Sequence, residues 1–163
     1  MKAVIAGSFD PFTLGHLELV EETLKVFGNC HILINAQSVS KNYIADAETR
    51  QKIIELSCAH LPNVTVEIFK GLLPAKVGHD AVLVRGLRDA ADYGYEHGLF
   101  DIYNKISDND IKIVYLMPKK HTATSSSVVR ELIKYKSDKY QDFVHPNAAA
   151  LIFEIYAPKC RHQ

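Results

Sequence analysis

Long apolar runs are missing from this 163-residue chain. None approaches the roughly 20 residues that a helical membrane span needs. The opening residues also lack a basic stretch followed by an apolar one, so no secretory signal is expected. Cysteine is scarce: Cys30, Cys58 and Cys160 are odd in number and widely spaced. They fit neither a disulfide framework nor a zinc knuckle, and a reducing cytoplasm is the expected setting. Net charge is absent too, with 19 basic residues against 19 acidic ones. Bulk attraction to nucleic acid or to a membrane surface is therefore not expected, and any anion site must be a local cluster. Linkers, repeats and low-complexity stretches are also missing, so residues 1–163 are expected to form one domain. What remains is an ordinary globular balance, 47% hydrophobic and 23% charged, which supports a substantial core.

Short apolar runs alternate with helical patterns along the chain. Ala3-Val4-Ile5-Ala6 is the first such run. Leu17, Val20, Leu24 and Phe27 then recur at helical spacing, with Glu18, Glu21, Glu22 and Lys25 between them. Gly28-Asn29 ends that helix. His31 to Ala36 reads as a buried second strand, and the polar segment Gln37 to Ala45, which contains Lys41, as a loop. Asp46 caps a helix running to about His60. Val64, Val66 and Ile68 alternate with polar residues as a half-buried strand does. A short helix around Leu73 to Val77 leads to a fourth strand, Ala81 to Val84, with Arg85-Gly86-Leu87-Arg88 directly after it. A long helix from about Ala90 to Ile106 precedes a fifth strand, Ile111 to Leu116. The tail is helical over about 127–156, its last helix opened by His145-Pro146. This order predicts an α/β fold of Rossmann-like type: a five-stranded parallel sheet, helices on both faces and a helical C-terminus. Ligands of such sheets bind beyond the carboxyl ends of the strands. Ser8, Lys41, Leu73, Arg85, Arg88 and the run Thr124 to Ser127 all fall there.

Three stretches carry chemistry. The first is Gly7-Ser8-Phe9-Asp10-Pro11-Phe12-Thr13-Leu14-Gly15-His16. A strand, a turn of small residues and a helix start meet in it, and free helix amides there suit an anion. Gly15 lets a phosphate chain lie against the backbone, and His16 has a ring N–H to offer oxygens around phosphorus. Such T-x-G-H tetrapeptides are shared by nucleotidyltransferases and class I aminoacyl-tRNA synthetases. The second is Thr124-Ser125-Ser126-Ser127-Val128-Val129-Arg130, where hydroxyls at a helix start cap the helix and bind phosphate. The third, Arg85-Gly86-Leu87-Arg88-Asp89-Ala90-Ala91-Asp92-Tyr93-Gly94-Tyr95-Glu96, sets two arginines around a glycine. That arrangement suits two phosphate-bearing ligands. Each stretch also has a plainer explanation: a helix cap beside a stray histidine, a capping run, and salt bridges to Asp89 or Asp92.

Taken in this order, the three stretches resemble the bacterial phosphopantetheine adenylyltransferase family over nearly the whole chain, to about Ile155. The resemblance implies transfer of AMP from Mg-ATP to 4′-phosphopantetheine, giving dephospho-CoA and pyrophosphate, the penultimate step of coenzyme A synthesis. It implies Mg2+ carried mainly by the ATP phosphates, a cytoplasmic homohexamer and feedback by coenzyme A. Residue by residue, it places Ser8, Lys41, Leu73 and Arg85 on phosphopantetheine. Ser8, Phe9 and His16 fall on ATP at the opening turn. Gly86, Leu87, Arg88 and Glu96 fall on ATP at the fourth strand, and Thr122, Ala123, Thr124, Ser125, Ser126 and Ser127 complete the ATP pocket. His16, Lys41, Arg88 and Ser126 are the expected catalytic set. Two departures stand out. Asn42-Tyr43 occupy positions where members often carry a second lysine and a proline, leaving Lys41 the basic candidate of its loop. The loop between Pro118 and Ser125 also lacks the aromatic residues that some members have. The alternatives are a sister adenylyl- or cytidylyltransferase with another phosphate acceptor, and a nucleotide- or coenzyme A-binding regulator without activity.

Overall fold

In a computed structural model, the structure describes residues 1–37, 42–88, 90–106 and 111–160. Five strands, β1 (Lys2–Gly7), β2 (Cys30–Asn35), β3 (Val64–Phe69), β4 (Ala81–Gly86) and β5 (Lys112–Leu116), form one sheet in the order β3-β2-β1-β4-β5. All neighbouring pairs are parallel, so each connection crosses over through a helix. The crossovers are α1 (Leu14–Phe27), α2 (Ala47–Cys58), α3 (Leu73–Val77) and α4 (Ala90–Ile106). Beyond β5 come α5 (Ser126–Lys134), a 3-10 turn (Asp138–Phe143) and α6 (Pro146–Cys160). The chain runs outward from β1 to β2 and β3, then crosses back to β4 on the other side of β1, so the strand order reverses between β1 and β4. That is where a parallel sheet opens a crevice for ligands.

Strand alternation sorts the interior into two layers. Ala3 and Ile5 of β1, Cys30, Ile32 and Ile34 of β2, and Val82 and Val84 of β4 face one way. They meet Leu17 and Val20 of α1, Ile53 and Ile54 of α2, Val129 and Ile133 of α5 and Ile152 of α6. The intervening residues Val4, Ala6, Leu33 and Leu83 face the other way, onto a smaller cluster that includes Val77 of α3 and Tyr103 of α4. One face thus carries four helices and the other a single turn of helix plus α4.

Local chemistry sets the ends. Asp46 accepts the Thr49 amide at 2.7 Å and starts α2. Gly28 closes α1 with φ 71°, a left-handed conformation that glycine takes without a Cβ penalty, and its N–H reaches Leu24 at 2.8 Å. The expected boundaries shift in three places. α2 stops at Cys58 rather than near His60. β4 continues through Arg85 and Gly86, which sit opposite Tyr115 and Leu116 of β5, so Arg85 is a strand residue and not the start of a loop. A 3-10 turn fills the gap between the two expected tail helices, and α6 runs past the expected Tyr156 to Cys160 because Ala157 and Cys160 are buried and Lys159 Nζ donates to the Ile44 carbonyl at 3.0 Å.

Candidate functional site

The carboxyl ends of β1 and β4 open into a cleft of about 950 Å³. Its floor is the turn after β1. Phe9 is held at φ 51°, a left-handed conformation uncommon for a residue with a side chain. That turn folds the Phe9 ring back under Gly7, where a Cβ would come within 2.9 Å of it. Asp10, buried, accepts the amides of Ile44 (2.8 Å) and Ala45 (3.1 Å) and the Tyr156 hydroxyl (2.5 Å). Burial and the adjacent Asp10 carboxylate push the Tyr156 phenol far up, so it keeps the proton it donates. The Asp10 carbonyl in turn accepts from Arg130 Nη1 at 2.5 Å.

Arg50 of α2 lies fully buried behind the same turn. Its Nη1 donates to the carbonyls of Ser8 (2.5 Å) and Asn35 (3.0 Å), its Nε to Ala45 (3.1 Å), and its guanidinium stacks 4.1 Å from the Tyr43 ring. Asp10 and Arg50 together fix Tyr43-Ile44-Ala45 against the ends of β1 and β2. Lys41 itself lies outside the described residues.

His16 sits on the first turn of α1 between the rings of Phe9 (5.1 Å) and Phe12 (5.3 Å). Its Nδ1 accepts the Thr13 amide at 3.0 Å, with the Thr13 hydroxyl at 3.1 Å. An N–H donated to Nδ1 assigns the proton to Nε2. Burial, and secondarily the charge of Arg88, push the His16 pKa down to about 4, so the ring is neutral at physiological pH. Lining the cleft, His16 offers it an Nε2–H donor and no charge.

The opposite wall comes from β4 and α4. Arg85 and Glu96 form a bidentate pair, Nε to Oε2 at 2.7 Å and Nη2 to Oε1 at 2.5 Å. Arg85 Nη1 also reaches the Ala6 carbonyl at 2.9 Å. Glu96 is buried, so the two residues that sequence placed on separate ligands constitute one structural unit. Arg88 is more exposed; its backbone N–H and its Nε each donate to Asp92 Oδ2 at 2.9 Å. The hydrogen bonds and charge of Arg88 outweigh partial burial and lower the Asp92 pKa. Leu73, the first residue of α3, also lines the cleft.

The serine run divides its work. Ser125 caps α5 by accepting the Val128 amide at 3.2 Å, Ser126 donates its hydroxyl to the Pro11 carbonyl at 2.7 Å, and Ser127 accepts from Arg130 at 3.1 Å. Ser126 spends its O–H on Pro11, while Ser125 and Ser127 accept and keep an O–H to offer an anion beside the first backbone amides of α5. Ser8, Phe9, His16, Gly86, Arg88, Glu96 and Thr124 to Ser127 all line the cleft. Leu87, whose amide pairs with the Leu116 carbonyl at 2.9 Å, and the exposed Thr122 and Ala123 stand beside it.

Sequence reasoning missed Asp10, Glu18, Arg50 and Tyr156. Glu18, one of the charged residues between the apolar positions of α1, is buried and accepts three loop amides. Arg50 did leave a trace, since it shares the inward stripe of Ile53, Ile54 and Ser57, where an arginine demands partners.

The Cytidylyltransferase-like family matches residues 4–132. The chain is 38% identical to the phosphopantetheine adenylyltransferase of Staphylococcus haemolyticus over 159 residues, 95% of this chain and 96% of the other. It is also 38% identical to that of Staphylococcus carnosus, over 92% and 94% of the two chains. A solved structure from Vibrio parahaemolyticus, provisionally described as a nicotinate-nucleotide adenylyltransferase, superposes with a TM-score of 0.67. It covers 96% of this chain and 94% of its own, and at 18% identity the likeness is one of fold.

Proposed function

The chain belongs to the Cytidylyltransferase-like family and, within it, to the phosphopantetheine adenylyltransferases, and from this we infer that its cleft moves AMP from ATP to 4′-phosphopantetheine. A phosphate oxygen of phosphopantetheine bonds to the α-phosphorus while the bond to the bridging oxygen breaks. The products are dephospho-CoA and pyrophosphate. The attacking oxygen is already anionic, so the chemistry asks for alignment and charge stabilisation and not for a strong base. The single observation that carries the assignment is the ring of His16, which lines the cleft with its Nδ1 held by the Thr13 amide and stays neutral with its proton on Nε2. That donor would steady the charge gathering on the α-phosphate oxygens.

Arg88 and the α5 amides would hold the β- and γ-phosphates. Ser8, Lys41 and Arg85 would seat the acceptor phosphate, with Glu96 orienting Arg85, and Leu73 would border the pantetheine arm. Adenine would lie beside Gly86, Leu87 and the loop Thr122 to Thr124. Mg2+ would come in with ATP. Among the described residues the cleft carboxylates are committed elsewhere, Asp10 to amides and Tyr156, Glu96 to Arg85 and Asp92 to Arg88. Phosphate oxygens are therefore the fitting ligands for the ion.

A homohexamer in the cytoplasm, with coenzyme A as a feedback ligand, completes the proposal. What supports assembly is α4, where Tyr93, Ile102 and Ile106 are each about half exposed. Among the described residues no helix is long and apolar enough to cross a membrane.

The test is purified protein with Mg-ATP and 4′-phosphopantetheine, scored for pyrophosphate and dephospho-CoA. His16→Ala should lower kcat by at least ~100-fold, the scale of losing one transition-state donor. Turnover confined to a different phosphate acceptor would move the chain to a sister activity, and a His16→Ala variant with full kcat would remove His16 from the mechanism.

A further inference from the structure

Glu18 lies two residues beyond His16 on α1, and its carboxylate has left the helix surface to grip a distant loop. Oε1 accepts the amides of Lys119 (2.7 Å) and Lys120 (2.9 Å), and Oε2 accepts those of Lys120 (3.2 Å) and His121 (2.9 Å). Three successive N–H groups converging on one anion form a concave backbone site that is normally offered to a bound phosphate or carboxylate. Here the anion belongs to the protein. The residue is 6% exposed, so these bonds are made largely out of competition with water.

A second observation, independent of the carboxylate, shows how near α1 and this loop lie. A Cβ on Gly15 would come within 3.2 Å of the His121 carbonyl and 3.3 Å of the Thr124 carbonyl. The loop is further closed by the Thr124 amide on the His121 carbonyl at 3.0 Å. Its downstream end is Ser125, the cap of α5, and His121 and Thr124 both line the cleft.

We propose that Glu18 is a positioning residue for the nucleotide: by holding the Lys119–His121 backbone it fixes the loop entering α5 relative to the helix that carries His16. One helix thereby sets both the donor at the α-phosphorus and the wall along the rest of ATP. This rests on the adenylyltransferase reading, in which that loop borders ATP.

Two variants test it. Glu18→Gln keeps the shape but turns an NH2 group toward amide donors, while Glu18→Asp keeps the charge on a shorter stem. Steady-state kinetics with ATP and phosphopantetheine varied separately should give E18Q an ATP KM raised about 10-fold, with the phosphopantetheine KM and kcat changed by less than about 3-fold. E18D should recover part of the loss. Trypsin supplies a readout independent of catalysis. Cleavage after Lys119 and Lys120 should be accelerated about 10-fold in E18Q and suppressed again by saturating ATP. Equal rises in both KM values, an ATP KM within about two-fold of the parent, or unchanged cleavage would overturn the proposal. An unaltered enzyme with no turnover on phosphopantetheine would refute the functional reading instead, and the tryptic rates would still decide whether Glu18 holds the loop.

Discussion

At the scale of single residues, the neutrality of His16 is the property with the most reach. Its folded pKa of about 4 lies below the 6.5 of an unperturbed imidazole, with burial as the main cause and Arg88 as the second. As pH falls from about 6.5 toward about 4, the unfolded chain therefore takes up a proton that the folded chain refuses, and stability is lost across that window. Above it the histidine costs nothing. NMR titration of the ring should give a midpoint near 4 and the Nε2–H form throughout the neutral range; a midpoint near 6.5 would contradict the assignment. Glu18 behaves oppositely. Burial would raise its carboxyl, but the amides of Lys120, Lys119 and His121 outweigh it and hold the pKa below the ordinary range. The two residues are therefore set in complementary states, an uncharged donor and a charged acceptor, two positions apart on one helix.

At the scale of elements, α6 is wired into the turn after β1. Tyr156 donates to Asp10, whose other bonds hold the Ile44 and Ala45 amides just past Lys41, and Lys159 holds the Ile44 carbonyl. Tyr156→Phe should cost about 1.5–3 kcal/mol in urea unfolding, the range for a hydrogen bond to a charged group. It should also raise the KM for phosphopantetheine more than that for ATP, since the segment it frees adjoins the acceptor side. An unchanged ratio of the two KM values would separate α6 from the site. Much of the element order was legible beforehand. Val64, Val66 and Ile68 alternate, Gly28-Asn29 stops α1, and the polar groups fall after successive strands. The wiring was not, because side chains such as Glu18, Arg50 and Tyr156 bond to backbone groups or carboxylates up to 146 residues away. A sequence announces the donor and not the carbonyl that receives it. The serine run illustrates the same limit: its composition promised three phosphate-binding hydroxyls, while Ser126 donates to Pro11 and Ser127 engages Arg130.

At the scale of the whole molecule, the two faces of the sheet are unequally dressed. Four helices cover one side, whereas α3 and α4 cover the other and leave Ile102 52% exposed. If subunits associate through α4, Ile102→Glu should lower the mass read by light scattering, with little change in the unfolding of each subunit. A parent protein that already scatters as a single 18.3 kDa chain would remove the hexamer from the proposal. The bond between Tyr156 and Asp10 bears on how the molecule comes into being. The family match ends at residue 132, yet the turn carrying Ser8 is braced by a helix made after it. On the ribosome the strands and α5 emerge before α6, so the turn after β1 gains its Tyr156 brace only afterwards. Nascent chains would then be poor sinks for ATP, and competence would arrive with α6 and not gradually along synthesis.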